Sequence, residues 1–214
     1  MASPFAFATQ ATARIDLEGM LSQQAGRGAQ LTHYNANSEI YAPGDRANAL
    51  YQIEFGAVRI YRLLSDGRRQ ISAFHVAGEV FGFEASERHG FFAEAISACG
   101  IRSYRMPPEE QVARELLPIA LQALVRAQEH MLVIGRQAAG ERVAAFLIEM
   151  MERQGGLNQI DLPMSRTDIG DYLGLTIETV SRAFSRFRES GHIHLVNTRT
   201  VEIRKPDALR AMCE

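Results

Sequence analysis

The sequence predicts an α+β fold in three successive parts: an N-terminal antiparallel β-roll, a long helix and a C-terminal winged helix-turn-helix. Three observations carry this. Apolar and polar residues alternate in short runs between about residues 31 and 106, an apolar seam at near-heptad spacing runs from Leu117 to Ile134, and a two-helix pattern broken at Gly174 lies between Ser165 and Gly191.

In the first part the strands expected are Leu50 to Phe55, Ala57 to Leu64, Arg69 to Val76 and Phe92 to Ala98, with order beginning near Leu31. Pro43-Gly44-Asp45, Gly56, Asp66-Gly67 and Ala77-Gly78 supply turns, and Asp66-Gly67 reads as a two-residue hairpin. Ahead of it, residues 1–30 are rich in Ala, Gln and Gly and read as a loosely packed arm with a short helical pattern around Ile15 to Leu21.

From Pro107 the period becomes helical, first in a short segment from Pro108 to Glu115 and then in a long helix expected to start near Pro118. Leu117, Leu121, Leu124, Met131 and Ile134 lie on one seam, which needs a partner. A second copy of the chain is the favoured partner, and the chain's own β-roll is the alternative. Small residues from Gly135 to Gly140 suggest a hinge before another amphipathic helix, Arg142 to Met151.

The segment from Ser165 to Gly191 is the most informative. Ile169, Leu173, Leu175, Val180, Phe184 and Phe187 fall at helical spacings, but Gly174-Leu175-Thr176 splits them into two short helices. Gly170 allows close approach, Gly174 supplies the tight turn and Val180 plugs the crossing. Glu178, Thr179, Ser181, Arg182 and, a turn later, Arg186 are left facing outward on the second helix. Such side chains suit base edges: Arg182 can pair with guanine through two hydrogen bonds, Glu178 can accept from a cytosine or adenine amino group, and Ser181 adapts to base or phosphate. A plain i,i+4 ion pair between Glu178 and Arg182 is the competing reading. His192 to Leu195 and Thr200 to Ile203 then alternate around Asn197-Thr198 as a wing.

A module of this kind reads only a few base pairs, which favours a homodimer on double-stranded DNA. Ser165, Arg166, Thr167, Thr179 and Arg186 are expected on the DNA backbone, where they set register without reading sequence. Ser165 followed by Asp168 also resembles a helix N-cap. A cysteine in its place would feel the helix N-terminus and a nearby arginine, which favours thiolate and oxidation. The organisation expected is an arm over 1–30, a β-roll over 31–112, a dimerisation helix over 113–138 and the DNA-binding domain over 139–214.

Composition agrees with a globular DNA reader. The chain has 214 residues, 46% hydrophobic and 22% charged, and a formal net charge of −2. Bulk charge does not coat nucleic acid here, so positive charge must be local. Seven basic residues face five acidic ones from Ser165 to Lys205. No apolar run approaches the roughly 20 residues that span a bilayer, and Met1 to Gln10 lacks a secretory pattern, so a cytoplasmic protein with no membrane partner is expected.

An enzyme finds little support, because no P-loop, H-E-x-x-H or nucleophile-elbow motif occurs. The two cysteines, Cys99 and Cys213, have no metal-site spacing; Cys99 is expected to be buried and Cys213 exposed near the terminus. His192 and His194 share a face of the wing without a third ligand, so no metal is assigned. The turn-prone, charged stretch from Glu84 to Gly90, with Glu84, Glu87 and Arg88, is expected to face solvent and is the candidate contact for RNA polymerase.

With these pieces in place the chain resembles the Crp/Fnr family of transcription regulators over about residues 31–208. In the barrel the resemblance rests on Tyr41-Ala42-Pro43-Gly44-Asp45, Leu50-Tyr51-Gln52-Ile53, Gly56-Ala57-Val58-Arg59-Ile60 and Gly78-Glu79-Val80-Phe81-Gly82-Phe83, and in the DNA-binding part on Leu162-Pro163-Met164 and Asp168 to Arg182. It implies a cyclic-nucleotide-binding-type β-roll. It also implies that Glu178, Ser181 and Arg182 read a TTGA-type half-site of a palindrome, as in the Fnr and FixK branch.

The resemblance also shows departures. His89 and Gly90 align where cyclic-AMP-responsive members carry the Arg-Ser pair that binds the cyclic phosphate. Arg102 aligns with the barrel cysteine of oxygen-sensing members, and no cysteine precedes Cys99. What the resemblance implies is therefore a FixK-type activator of low-oxygen or respiratory genes, with no cofactor and no obligatory nucleotide or iron-sulfur cluster. The alternative is a member sensing a cyclic nucleotide, or a haem-bound gas through His75 or His89.

Overall fold

The computed structural model describes residues 30–105, 109–136 and 138–213. The arm, with its pattern at Ile15 to Leu21, lies outside the described residues except for residue 30, and so do Pro107 and Pro108. What is described falls into two compact units, residues 30–129 and 130–213.

The first unit is built from eight antiparallel strands: β1 (Gln30–Tyr34), β2 (Glu39–Tyr41), β3 (Ala49–Phe55), β4 (Ala57–Leu63), β5 (Arg69–Val76), β6 (Val80–Phe81), β7 (Phe92–Ala95) and β8 (Cys99–Arg105). They form two four-stranded sheets, ordered β1-β8-β3-β6 and β2-β7-β4-β5. Alternation puts one face of each sheet inward. Ile53, Phe81, Cys99 and Ile101 from the first sheet thus share a core with Tyr41, Val58, Ile60, Ala93 and Ala95 from the second.

Two expectations are corrected here. The run from Phe92 to Ala98 is not one strand: β7 stops at Ala95, and β8 starts at Cys99 and crosses to the other sheet. Gly56 makes this corner possible, because a Cβ there would stand 2.4 Å from that of Cys99. The Asp66-Gly67 turn is a three-residue loop, with Leu64 N–H bonded to Arg68 O at 2.8 Å and Gly67 N–H to Leu64 O at 2.9 Å. Gly67 takes the left-handed conformation at φ 83°, which closes a type I turn with a bulge rather than a two-residue turn.

The helical region also differs. One helix, α1 (Glu109–Ile134), replaces the two expected, with Pro118 inside it. Proline removes one helical hydrogen bond and tends to kink, but a long helix with a buried face absorbs that loss. Leu116 and Ile119 are buried, at 3% and 8% exposure, whereas Leu117, Leu121, Leu124 and Met131 are all more than half exposed and Ile134 is partly buried. Val125 and Leu132, absent from the expected seam, widen the exposed apolar stripe. Among the described residues of the first unit, the β-roll leaves Leu117, Leu121 and Leu124 uncovered.

The second unit holds the end of α1 and four more helices: α2 (Ala139–Arg153), α3 (Arg166–Leu173), α4 (Ile177–Glu189) and α5 (Pro206–Ala211). α2 starts three residues before the expected Arg142 and ends two after Met151. Its Val143, Phe146, Leu147 and Met150 form a core with Ile169, Leu173, Val180, Phe184 and Phe187, all of them buried. The wing strands β10 (Ile193–Leu195) and β11 (Thr200–Ile203) are joined by a third, β9 (Gln159–Asp161), in the order β10-β11-β9. Cys213 is not exposed: α5 packs the chain end inward, leaving Cys213 at 6%, with its thiol donating to Leu209 O at 3.2 Å. Among the described residues, no helix is long and apolar enough to cross a membrane.

Candidate nucleic-acid interface

The reading head is held from both ends. At the start of α3 the Ser165 hydroxyl accepts from Asp168 N–H at 3.0 Å, while the Asp168 carboxylate accepts from Ser165 N–H at 3.0 Å and from its hydroxyl at 2.8 Å. This reciprocal box satisfies helix donors that would otherwise be orphaned. At the other end Arg142, on α2, donates to Leu173 O at 3.1 Å and to Arg136 O at 2.9 Å. Gly174 closes α3 at φ 65°.

Thr176 caps α4, accepting from Thr179 N–H at 3.3 Å. With Val180, Ala183, Phe184 and Phe187 turned inward, the 3.6-residue period leaves Ile177, Glu178, Ser181, Arg182 and Arg186 exposed together, with Thr179 at the edge. Arg182 reaches Thr179 Oγ1 at 3.4 Å, and Thr179 Oγ1 lies 3.1 Å from that of Thr176. The Glu178 carboxyl is held below its usual range, first by its own backbone N–H, then by the Thr176 hydroxyl, with a smaller contribution from the Arg182 charge. It is therefore an anion and an acceptor. A hollow of about 460 Å³ beside α4 is lined by Thr179, Arg182, Arg186, His192 and the first residues of α2.

The expected backbone contacts divide. Ser165 and Thr167 are exposed at the mouth of α3. Arg166 is partly buried, with its guanidinium 3.4 Å above the centre of the Phe184 ring, and burial pulls its pKa down to about 10. Its first partner is thus the head's own core. In the wing, Asn197 Oδ1 accepts from the N–H groups of Arg199 and Thr200 at 2.8 Å each, and Thr200 Oγ1 donates to Asp161 Oδ1 at 2.8 Å. Val196, Thr198 and Arg199 are exposed at its tip. His192 is tied to the Ser190 hydroxyl and lies edge-on to Phe187, while His194 is exposed. Ile177 and the strand carrying Asp161 had no signal strong enough to find: an apolar first residue reads as core, and a three-residue strand has no period.

In the first unit, the stretch from Glu84 to Gly90 does not face solvent throughout. Glu84 turns inward, accepting from Gly90 N–H at 3.0 Å, and its side chain is only 17% exposed. His89 is buried and stacked on Tyr41, centroids 3.6 Å apart, with Nδ1 3.4 Å from Glu84 Oε1. Glu87 and Arg88 stay exposed, and Arg88 donates to Gly44 O. Glu79, 1% exposed, is paired with Arg126 of α1 at 2.9 Å and faces His75 Nδ1 at 3.4 Å. Burial raises the Cys99 thiol to a pKa of about 11.

Comparison with known proteins agrees with this architecture. Residues 141–212 match the Crp-like helix-turn-helix domain and residues 31–110 the cyclic nucleotide-binding domain. The nitrogen fixation regulation protein FixK of Rhizobium meliloti (strain 1021) is 56% identical over 180 residues, covering 84% of this chain and 85% of that protein. The protein of the same name from Azorhizobium caulinodans is 40% identical over 213 residues, covering 91% and 86%. The structure of FixK2 from Bradyrhizobium japonicum superposes with a TM-score of 0.82 at 42% identity, covering 88% of this chain and 98% of that one. The chain belongs to the FixK branch of the Crp/Fnr family of transcription regulators.

Proposed function

We propose that two copies of the chain pair through α1 and read a palindrome of TTGA-type half-sites, activating genes of low-oxygen respiration or nitrogen fixation. The observation that carries this is the single exposed row on α4, Glu178, Ser181 and Arg182, set on a helix whose opposite face is fully buried. Arg182 offers guanine two parallel donors, ionised Glu178 accepts from an exocyclic amine, and exposed Ile177 beside them offers apolar contact to a thymine methyl. Ser165, Thr167, Thr179, Arg186 and, where it leaves Phe184, Arg166 hold phosphates. The apolar stripe of Leu117, Leu121, Leu124 and Met131 has the spacing of a paired-helix seam and supports the dimer, with Ile134 at its end.

Reading without an effector is supported by the β-roll's own chemistry. A cyclic phosphate placed at His89 would meet the Glu84 carboxylate, the Arg62 guanidinium beside it is already bonded to Gly90 O at 2.8 Å, and Glu79 is paired with Arg126. Cys99 and Cys213 are the chain's two cysteines, both buried and in separate units, which is not the four-thiolate set of a cluster. The exposed pair Glu87 and Arg88 remains the candidate polymerase contact, without Glu84. The role is one of binding, not of catalysis, and it is exercised in the cytoplasm. The test is binding of the purified chain, with and without cyclic nucleotides, to a TTGA palindrome. High affinity without any addition is expected, and affinity that appears only with nucleotide would overturn the effector-free reading.

A further inference from the structure

The last turn of α1 meets the reading head through a pair of rings. His130 on α1 and Tyr172 on α3 lie nearly parallel, centroids 3.8 Å apart and planes 12° off, inside the same compact unit. Tyr172 is a fixed platform. It is 4% exposed, its hydroxyl donates to Glu149 Oε2 at 3.4 Å, and Phe146 meets its ring edge-on at 6.0 Å. Arg153 in turn holds Glu149 at 2.9 Å.

Both nitrogens of the His130 ring are buried, and among the described residues neither has a hydrogen-bond partner. Leaving buried polar atoms unpaired costs free energy, so the fold uses the flat face of this residue and not its donor or acceptor. Burial also keeps the ring neutral, with its pKa pulled down to about 4. Beyond Ile134 the chain crosses only four residues, beginning with Gly135, before α2 starts at Ala139. A glycine start gives such a link freedom to pivot. The stack, together with the Arg142 bond to the Arg136 carbonyl, restrains it.

We propose that His130 is a positioning residue for DNA reading: its ring, stacked on Tyr172, makes the end of α1 and the helix-turn-helix move as one body. Pairing of α1 between two copies then sets the spacing and bearing of both recognition helices. This rests on the dimer reading above. Once one head has bound its half-site, the effective concentration of the second depends on the stiffness of the connection between them. Loosening the joint therefore lowers the preference for a palindrome without changing how either head reads its own half-site.

The experiment compares binding of the full chain to a palindromic duplex and to a duplex carrying one half-site. For His130→Ala and His130→Leu the palindrome preference should fall about tenfold while half-site affinity is kept, and His130→Phe should keep both because the flat ring remains. Leu is included because it fills the volume that Ala leaves empty, and thermal melting reports whether each variant is folded. Retention of the wild-type preference by His130→Leu, or equal loss on both duplexes, would overturn the joint. A wild-type chain with no palindrome preference would overturn the dimer reading and the joint with it. On the wild type itself, NMR should show the His130 ring protons shifted by the Tyr172 ring both free and bound to DNA. Disappearance of that shift on binding would also overturn the proposal.

Discussion

Leu175 donates its backbone N–H to Gly170 O at 2.9 Å, and a Cβ on Gly170 would stand 2.6 Å from Leu175 O. The turn of the helix-turn-helix is therefore folded back against the bare backbone of α3. Gly170→Ala must push backbone, not a flexible side-chain end, and overpacking of this kind costs about 1–3 kcal/mol. A lowered melting temperature with a matching loss of DNA binding is expected. An unchanged melting curve would refute the tight contact.

On the proposed reading, in which Arg182 pairs with a guanine through two hydrogen bonds, Arg182→Ala should cost about 1–3 kcal/mol per half-site and relax base preference. Competition binding on specific and random duplexes measures both effects. Equal losses on the two would sink the assignment of Arg182 to base reading.

Arg166 gives a contrasting expectation. Because its guanidinium lies over Phe184, Arg166→Ala should lower the melting temperature as well as weaken binding to all sequences alike. A purely electrostatic anchor would change the salt dependence of binding and leave the melting curve alone.

Leu121→Glu places a charge in the middle of the exposed stripe on α1, where a paired helix would have to bury it. Sedimentation should then show monomers, whereas the proposed pairing predicts dimers for the wild type. A dimer that persists would move the pairing surface elsewhere.

The His130 ring gives a pH dependence with a definite sign. Its folded pKa, pulled down by burial to about 4, lies below the ordinary 6.5, so the unfolded chain takes up a proton first as pH falls. The stability linked to this group is complete above 6.5 and is lost as pH falls through the window from 6.5 to 4. Urea unfolding across that range should show a decline that His130→Phe reduces. The same slope in both proteins would assign the decline to other groups.

The helix-turn-helix was legible in the sequence because each constraint is local. Gly170, Gly174 and Val180 act within ten residues of one another, the Ser165 and Asp168 cap joins residues three apart, and the 3.6-residue period alone puts Glu178, Ser181 and Arg182 on one face. The β-roll strands with clear alternation, β3 to β5, were legible for the same reason. Strand β8 and the three-residue β9 were not, since the strands that pair with them lie far along the chain. The inward turn of Glu84 was not either, because its partners, Gly90 N–H and His89, lie in the same loop, which has no period to read.

What the sequence by itself determined is the order of parts, the class of fold and the residues left together on the outer face of α4, all of which follow from period, turn chemistry and local caps. The tertiary structure decided which apparent surface groups are spent inside. Arg166 lies on Phe184 and His89 on Tyr41, because a neighbour distant in sequence offered each of them a better partner than water, and Cys213 is buried with its thiol on Leu209 O. It also decided that Leu117, Leu121, Leu124 and Met131 of α1 are left uncovered among the described residues while His130, next to Met131, packs on Tyr172. Successive residues of a helix point about 100° apart, so neighbours in sequence can serve two different surfaces, and only the fold shows which surfaces are there.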